Sequence, residues 1–169
     1  GTFTDDGWLV SGDIAHIVLE GRVFVTGRAK DLIIRSGHNI DPIVIEDALL
    51  RHPDVLMAAA VGAPDEYAGE IPVAFVSLRP GAAVTAAALH DFAQQFIPER
   101  PAFPKRIVVL DALPMTAIGK LFKPELRAQA VRAVLADRLA GEGLDTLVAL
   151  DVLLEPRGAV AEFSASAAA

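Results

Sequence analysis

One stretch, Gly27 to Glu46, constrains this chain more than any other. It runs from a charged turn, Arg28-Ala29-Lys30-Asp31, into the apolar triplet Leu32-Ile33-Ile34. A small polar loop follows, Ser36-Gly37-His38-Asn39, and then Asp41-Pro42. Asp41 is suited to cap free backbone N–H groups, and Pro42 fits a first helical position because its missing N–H costs nothing there. Ile45, Ala48, Leu49 and His52 follow at helical spacing until Pro53 closes the run. A turn, a strand, a loop and a helix start in so short a space leave room only for short elements packed on one another.

The rest of the chain fits that scale. Upstream, Trp8-Leu9-Val10, Ala15 to Leu19 and Val23-Phe24-Val25 read as short strands, with Glu20-Gly21 as a hairpin turn. So small a unit buries little alone and needs another surface. Downstream, Val55 to Val61 reads as a buried strand, Gly62-Ala63-Pro64-Asp65 as a turn, and Ile71 to Leu78 as a second strand closed by Pro80-Gly81. Thr85 caps a helix with the stripe Leu89, Phe92, Ala93 and Phe96. Pro98, Pro101 and Pro104 force an extended connection before a strand from Arg106 to Leu110. Pro114 to Lys120 is a loop, and Pro124 starts a last helix with Leu126, Val131, Val134, Leu135 and Leu139 on its buried side. This order predicts an α+β fold: a small open β-sheet with helices packed on it, preceded by a short β-rich piece. Leu144 to Leu154 is apolar without a clean period, and residues 161–169, mostly Ala and Ser, are expected to fray.

Composition narrows the function classes. With 169 residues the chain holds one domain and a piece of a neighbour, and 53% hydrophobic against 22% charged residues is too apolar for disorder. Its apolar runs are broken by charge or proline, so no segment is expected to span a bilayer. The first residues lack the basic start and apolar run of a secretory signal, and the missing initiator methionine points to a truncated chain. The absence of cysteine excludes disulfides and thiolate metal sites, and fits the cytoplasm. A net charge of −7 argues against a nucleic-acid partner, which needs a basic face. His16, His38, His52 and His90 have no ligand spacing, so no metal site is expected in this chain.

Several residues carry candidate chemistry. Asp13 follows Gly12; its ordinary role is a turn aspartate satisfying backbone, and its functional role is to accept hydrogen bonds from vicinal hydroxyls. Arg28, Lys30 and Asp31 make either a solvated turn or, through the Arg28 fork, a phosphate contact. Gly37, beside Ser36, is either a plain turn glycine or a point of close backbone approach to a ligand. Lys120 follows Gly119, but the first glycine and the Ser or Thr of a phosphate loop are missing, so this is not a Walker loop. What remains is a lysine on a Gly-containing loop, exposed like most lysines or able to stabilise charge on a transferring phosphoryl group.

Together these segments resemble the C-terminal part of the adenylate-forming (AMP-binding) acyl-CoA synthetase superfamily, over residues 7 to about 139. The likeness rests on Gly7-Trp8 with Ser11-Gly12-Asp13; on Gly27 to Asp31 with Gly37 to Pro42 and Ile45-Glu46; on Val61 to Asp65 with Gly69-Glu70; and on Pro114 to Lys120. Ser11 stands where threonine is usual, and Val44 at a position often acidic. The resemblance implies that Asp13 holds the ribose hydroxyls of ATP or the acyl-adenylate, and that Arg28 binds the same nucleotide. Lys30 would bind it too and serve as the hinge. Lys120 would act in adenylation, and Ser36 and Gly37 would line the coenzyme A channel. It implies a mobile domain over residues 30–140, the end of the large N-terminal domain over 1–29, and a partly disordered tail over 141–169. ATP and coenzyme A are the implied co-substrates, with Mg2+ held outside this chain, as are the glycine-rich phosphate loop and the acyl pocket. Residues 64–70 and 113–116 look most like fatty acyl-CoA synthetases. The whole would be an ATP-dependent carboxylate–CoA ligase, inactive as this fragment. Transfer of the acyl group to a carrier protein, and a non-catalytic partner- or nucleotide-binding module, are the alternatives.

Overall fold

The computed structural model describes residues 2–155 and 158–165. An N-terminal hairpin pairs β1 (Asp13–Ile17) with β2 (Val23–Arg28), antiparallel and with a bulge between Ile14 and Ala15. A single 3-10 turn, Ala29–Asp31, links it to the rest. Then come β3 (Ile33–Arg35), β4 (His38–Ile40), α1 (Pro42–Leu50), β5 (Val55–Asp65), β6 (Gly69–Leu78), α2 (Ala86–Ala93), β7 (Arg106–Leu110), α3 (Lys123–Gly141), β8 (Val148–Glu155) and β9 (Gly158–Ala165). This is the expected small open sheet with helices packed on it.

β6 is the centre of the main sheet. It runs antiparallel to β5 from Val55↔Leu78 to Asp65↔Gly69, lies parallel to β7, and meets β3 at Arg35↔Gly69. Because side chains alternate across a strand, β5 and β6 feed two cores. Ala60, Ala74 and Val76 pack with Ile45 and Leu49 of α1 and Leu89 and Ala93 of α2. Ala59, Val61, Val73 and Phe75 pack with Leu126 and Ala130 of α3 on the other face. Asp41 caps α1 by accepting from the Ile43 N–H at 3.0 Å, and Thr85 caps α2 through the Ala88 N–H at 3.2 Å, as the sequence predicts.

Four expectations change. The turn predicted at residues 62–65 lies later, because Gly62 and Pro64 remain paired in β5 opposite Pro72 and Glu70. Asp65 then makes the turn, accepting from the Tyr67 and Ala68 N–H groups, which hold its carboxyl below the ordinary range. Trp8-Leu9-Val10 is no strand; Leu9 alone bridges to Phe3. The proline-rich connection contains a 3-10 turn, Arg100–Ala102. The segment past Gly141 is a hairpin, β8 with β9, in register from Val148↔Ala165 to Glu155↔Gly158. It is fastened to α3 by the Arg132–Asp151 ion pair and by a bond from Arg132 Nη1 to the Leu150 carbonyl. Residues 161–165 are therefore paired rather than frayed, while residues 166–169 lie outside the described residues.

The N-terminal hairpin is covered by little. Ile17, Val23 and Val25 of the hairpin are exposed, and Trp8, ahead of it in the chain, is 73% exposed. A two-stranded ribbon with that much apolar surface has the composition of an element that packs on something else.

Candidate functional site

The lysine loop is built from short bonds around Thr116. The Thr116 N–H donates to the Lys120 carbonyl at 2.6 Å, the Gly119 N–H to the Thr116 carbonyl at 2.9 Å, and the Lys120 N–H to Thr116 Oγ1 at 3.0 Å. Gly119 sits at φ 75°, where a side chain would strain the turn. Phe122 then bonds back to Pro114 at 2.8 Å. The expected loop is thus a closed turn that presents an exposed Lys120.

Three residues on, Lys123 opens α3 and pairs with Glu46 of α1 at 2.7 Å, with side chains only 23% and 15% exposed. The same Glu46 oxygen accepts from the Ala60 N–H at 2.8 Å. Glu46 therefore ties the root of the lysine loop to both α1 and β5. The sequence signals nothing of Lys123, and Thr116, inside the Pro114–Lys120 motif, carries no signal of its bond to the Lys120 N–H. Glu46 lies within a quoted motif, but its role emerges only from the packing.

These elements enclose a cleft of about 1020 Å³. Arg28 lines it from the end of β2, and Lys30 and Asp31 from the link after it. Lys120, Lys123 and Arg127 line it from the loop and α3, and Leu154, Glu155, Gly158 and Ala159 from the C-terminal hairpin. Two of its cations are satisfied internally, Lys123 by Glu46 and Arg28 by Asp13, whose Oδ1 accepts from Arg28 Nε at 3.0 Å. Lys30, Lys120 and Arg127 have no ion-pair partner among the described residues.

The fold thus brings Lys120, Arg28 and Lys30 to one cleft, with Asp13 attached through Arg28. Ser36 and Gly37 do not line it. They form the two-residue turn of the β3–β4 hairpin, at φ 50° and φ 82°, the left-handed pair that such a turn demands. Gly37 needs no ligand to explain it. Ser36 is held by its N–H on the Ala68 carbonyl at 2.8 Å, and Arg35 Nη1 donates to the Pro101 carbonyl at 2.7 Å. The Gly62 and Gly69-Glu70 motif belongs to the same corner. Glu70 Oε2 accepts from the Ile34 N–H at 2.9 Å, and its carboxylate lies over Gly62, where a Cβ would meet it at 2.6–2.7 Å.

The histidines are accounted for by neighbours or by exposure. His16 stacks on Phe24, His52 meets Phe92 edge-on, His90 bonds Gln94, and His38 is exposed in β4. Among the described residues, no group of three or more His, Asp or Glu is arranged for a metal ion.

Comparison with known proteins matches residues 44–120 to the AMP-binding enzyme C-terminal domain. A marinolic acid–CoA ligase of a Pseudoalteromonas strain is 50% identical over 127 residues, covering 75% of this chain and 19% of that protein. A medium/long-chain-fatty-acid–CoA ligase of Mycobacterium tuberculosis is 39% identical over 130 residues, covering 73% and 23%. Among solved structures, an o-succinylbenzoate CoA synthetase of Bacillus subtilis, in complex with its acyl-adenylate intermediate, matches with a TM-score of 0.67 at 36% identity, covering 75% and 25%. The chain spans about a fifth of the length of these two relatives.

Proposed function

We propose, from the premise that this chain belongs to the adenylate-forming acyl-CoA ligases as their C-terminal portion, that it is the mobile domain of an ATP-dependent carboxylate–CoA ligase. The observation that carries this reading is the convergence of Lys120, Arg28 and Lys30 on one cleft. In this reading the ligase first joins a carboxylate to the α-phosphate of ATP, releasing pyrophosphate, and then passes the acyl group to the thiol of coenzyme A, releasing AMP. Lys120 acts in the first step by bridging the carboxylate and the α-phosphate. It forms no covalent bond, and its contribution is orientation and charge stabilisation. Asp13 accepts from the ribose hydroxyls and Arg28 holds the nucleotide, their mutual ion pair keeping both side chains oriented before ATP arrives. Lys30 contacts the nucleotide and is the hinge. It lies in the 3-10 turn that alone joins the N-terminal hairpin to the sheet, where few torsions need change for the domain to rotate. After rotation the Ser36-Gly37 turn faces the reacting centre and lines the thiol channel.

In this division, residues 1–29 end the large domain and 30–140 form the mobile one. The exposed apolar face of the N-terminal hairpin supports that reading, since it has the composition of a surface packed on a larger body. The large domain would hold the acyl pocket and the Mg2+ ligands. We assign a fatty acid as substrate, supported by the fatty-acid ligase among the relatives. The cytoplasm, where ATP and coenzyme A meet, is the assigned compartment. No helix described here is long and apolar enough to cross a membrane.

The test is a kinetic split. In the full-length ligase, Lys120→Ala is expected to lower acyl-adenylate formation by about 10²–10³-fold while sparing thioester formation from supplied acyl-adenylate. Equal loss in both steps refutes the division of labour. The 169-residue chain alone is expected to give no pyrophosphate exchange above background, and exchange by it would overturn the two-domain reading. Coenzyme A and a carrier protein offered in parallel identify the acceptor.

A further inference from the structure

The lysine cleft holds more positive charge than the reading above uses, and the following inference rests on that reading. Arg127 lies in the second turn of α3, on the same cleft as Lys30 and Lys120. It falls past residue 120, where the match to the family domain stops. Its guanidinium has no ion pair and no side-chain hydrogen bond among the described residues, whereas Arg132 and Arg138 on the same helix are both paired. An arginine that spends its donors on neither carboxylate nor carbonyl keeps its planar fork free for phosphate oxygens.

Charge and size define the ligand class. Among the described residues, three cations without an ion-pair partner, Lys30, Lys120 and Arg127, line the cleft with the carboxylates Asp31 and Glu155. Lys123 and Arg28 line the same cleft, each in an ion pair. Cations gathered around one space repel each other, and a polyanion relieves that repulsion better than a single negative charge. A volume of about 1020 Å³ exceeds what one phosphate fills and matches sites that take nucleotide-sized molecules. We propose that this cleft binds a diphosphate group, with Arg127 as a ligand-contacting residue beside Lys30 and Lys120. Two sources share that chemistry: the terminal phosphates of a nucleoside triphosphate, and the bridging diphosphate of coenzyme A.

The test is direct binding to the 169-residue chain, with no activity required. Calorimetric titration with inorganic pyrophosphate is expected to saturate, and to weaken as salt rises. Arg127→Ala is expected to weaken it about ten-fold, the scale of one lost charged hydrogen bond, and Arg127→Lys to recover part of the loss. Arg127→Gln, closer in shape, repeats the measurement if the alanine variant folds poorly. Competition by ATP but not dephospho-coenzyme A identifies the triphosphate as the source, and the reverse identifies the thiol substrate. AMP, without a diphosphate, is expected to compete weakly. Unchanged affinity in both Arg127→Ala and Arg127→Gln, or absence of saturable binding by all three diphosphates, overturns the proposal. So does an equal loss in Arg51→Ala, a cation stacked on Phe96 across the sheet. Failure here leaves the Lys120 kinetics standing, and failure of those kinetics leaves this binding result standing.

Discussion

Gly62→Ala is a small change with a calculable effect. The Gly62 backbone does not lie in the left-handed region, so alanine fits its torsions. The obstacle is Glu70, whose carboxylate atoms would stand 2.6–2.7 Å from the new methyl. Glu70 is flexible enough to move, but moving breaks its bond to the Ile34 N–H, 2.9 Å away on β3. A hydrogen bond to a charged acceptor contributes about 1.5–3 kcal/mol, and a half-exposed site lowers that to about 1–2 kcal/mol. Alanine restricts the unfolded chain and returns about 0.5–1 kcal/mol. The net loss is about 1 kcal/mol, a fall of roughly 2–4 °C in melting temperature for a chain of this size. Calorimetry of a double-mutant cycle measures it. In a Glu70→Ala background the same Gly62→Ala change is expected to be neutral or slightly stabilising, a coupling of about 1–2 kcal/mol. Exchange of the Ile34 amide is expected to quicken in each single variant. If Gly62→Ala costs as much without Glu70 as with it, the glycine is required for some other reason and this account fails.

The remaining predictions concern the lysine loop and its supports. Thr116→Val removes the acceptor for the Lys120 N–H and is expected to lower adenylation about ten-fold in pyrophosphate exchange by the full-length ligase, with Thr116→Ser close to wild type. Lys123→Met leaves the largely buried Glu46 without its cation, and is expected to destabilise by about 1–3 kcal/mol in chemical denaturation. The Arg132 guanidinium and then the Val152 N–H hold the Asp151 carboxyl below its usual range. This group therefore contributes stability above roughly pH 4 and loses it as pH falls through the depressed value. Asp151→Asn is accordingly expected to lower the denaturation midpoint at neutral pH, with the difference shrinking as pH falls below about 4.

The sequence exposes those parts of the fold whose signals are local. Asp41-Pro42 and Thr85 announce their helices because a cap acts within three residues. The turn after β5 is misplaced because Gly62 and Pro64 look like breakers, yet Gly62 is set by a carboxylate from the neighbouring strand and Pro64 sits near the strand end. The C-terminal hairpin is hidden because Val152-Leu153-Leu154 is apolar on both faces and shows no alternation. Its hold on α3 depends on Arg132, distant in sequence. In the candidate site, Lys120 and Arg28 are legible through their motifs. Arg127 and the Glu46–Lys123 pair are not, since nothing in their neighbours' identities says which space they face.

The uncovered N-terminal hairpin carries a practical gift for solution work. Trp8 is the chain's single tryptophan, and it stands in water, five residues before that hairpin begins at Asp13. Its fluorescence therefore reports on one place, with no background from the core. Emission from the chain by itself should sit at the long wavelengths of a solvated indole. A body that docks over the hairpin and the segment leading into it should pull it toward the blue, so that assembly is followed optically without a label.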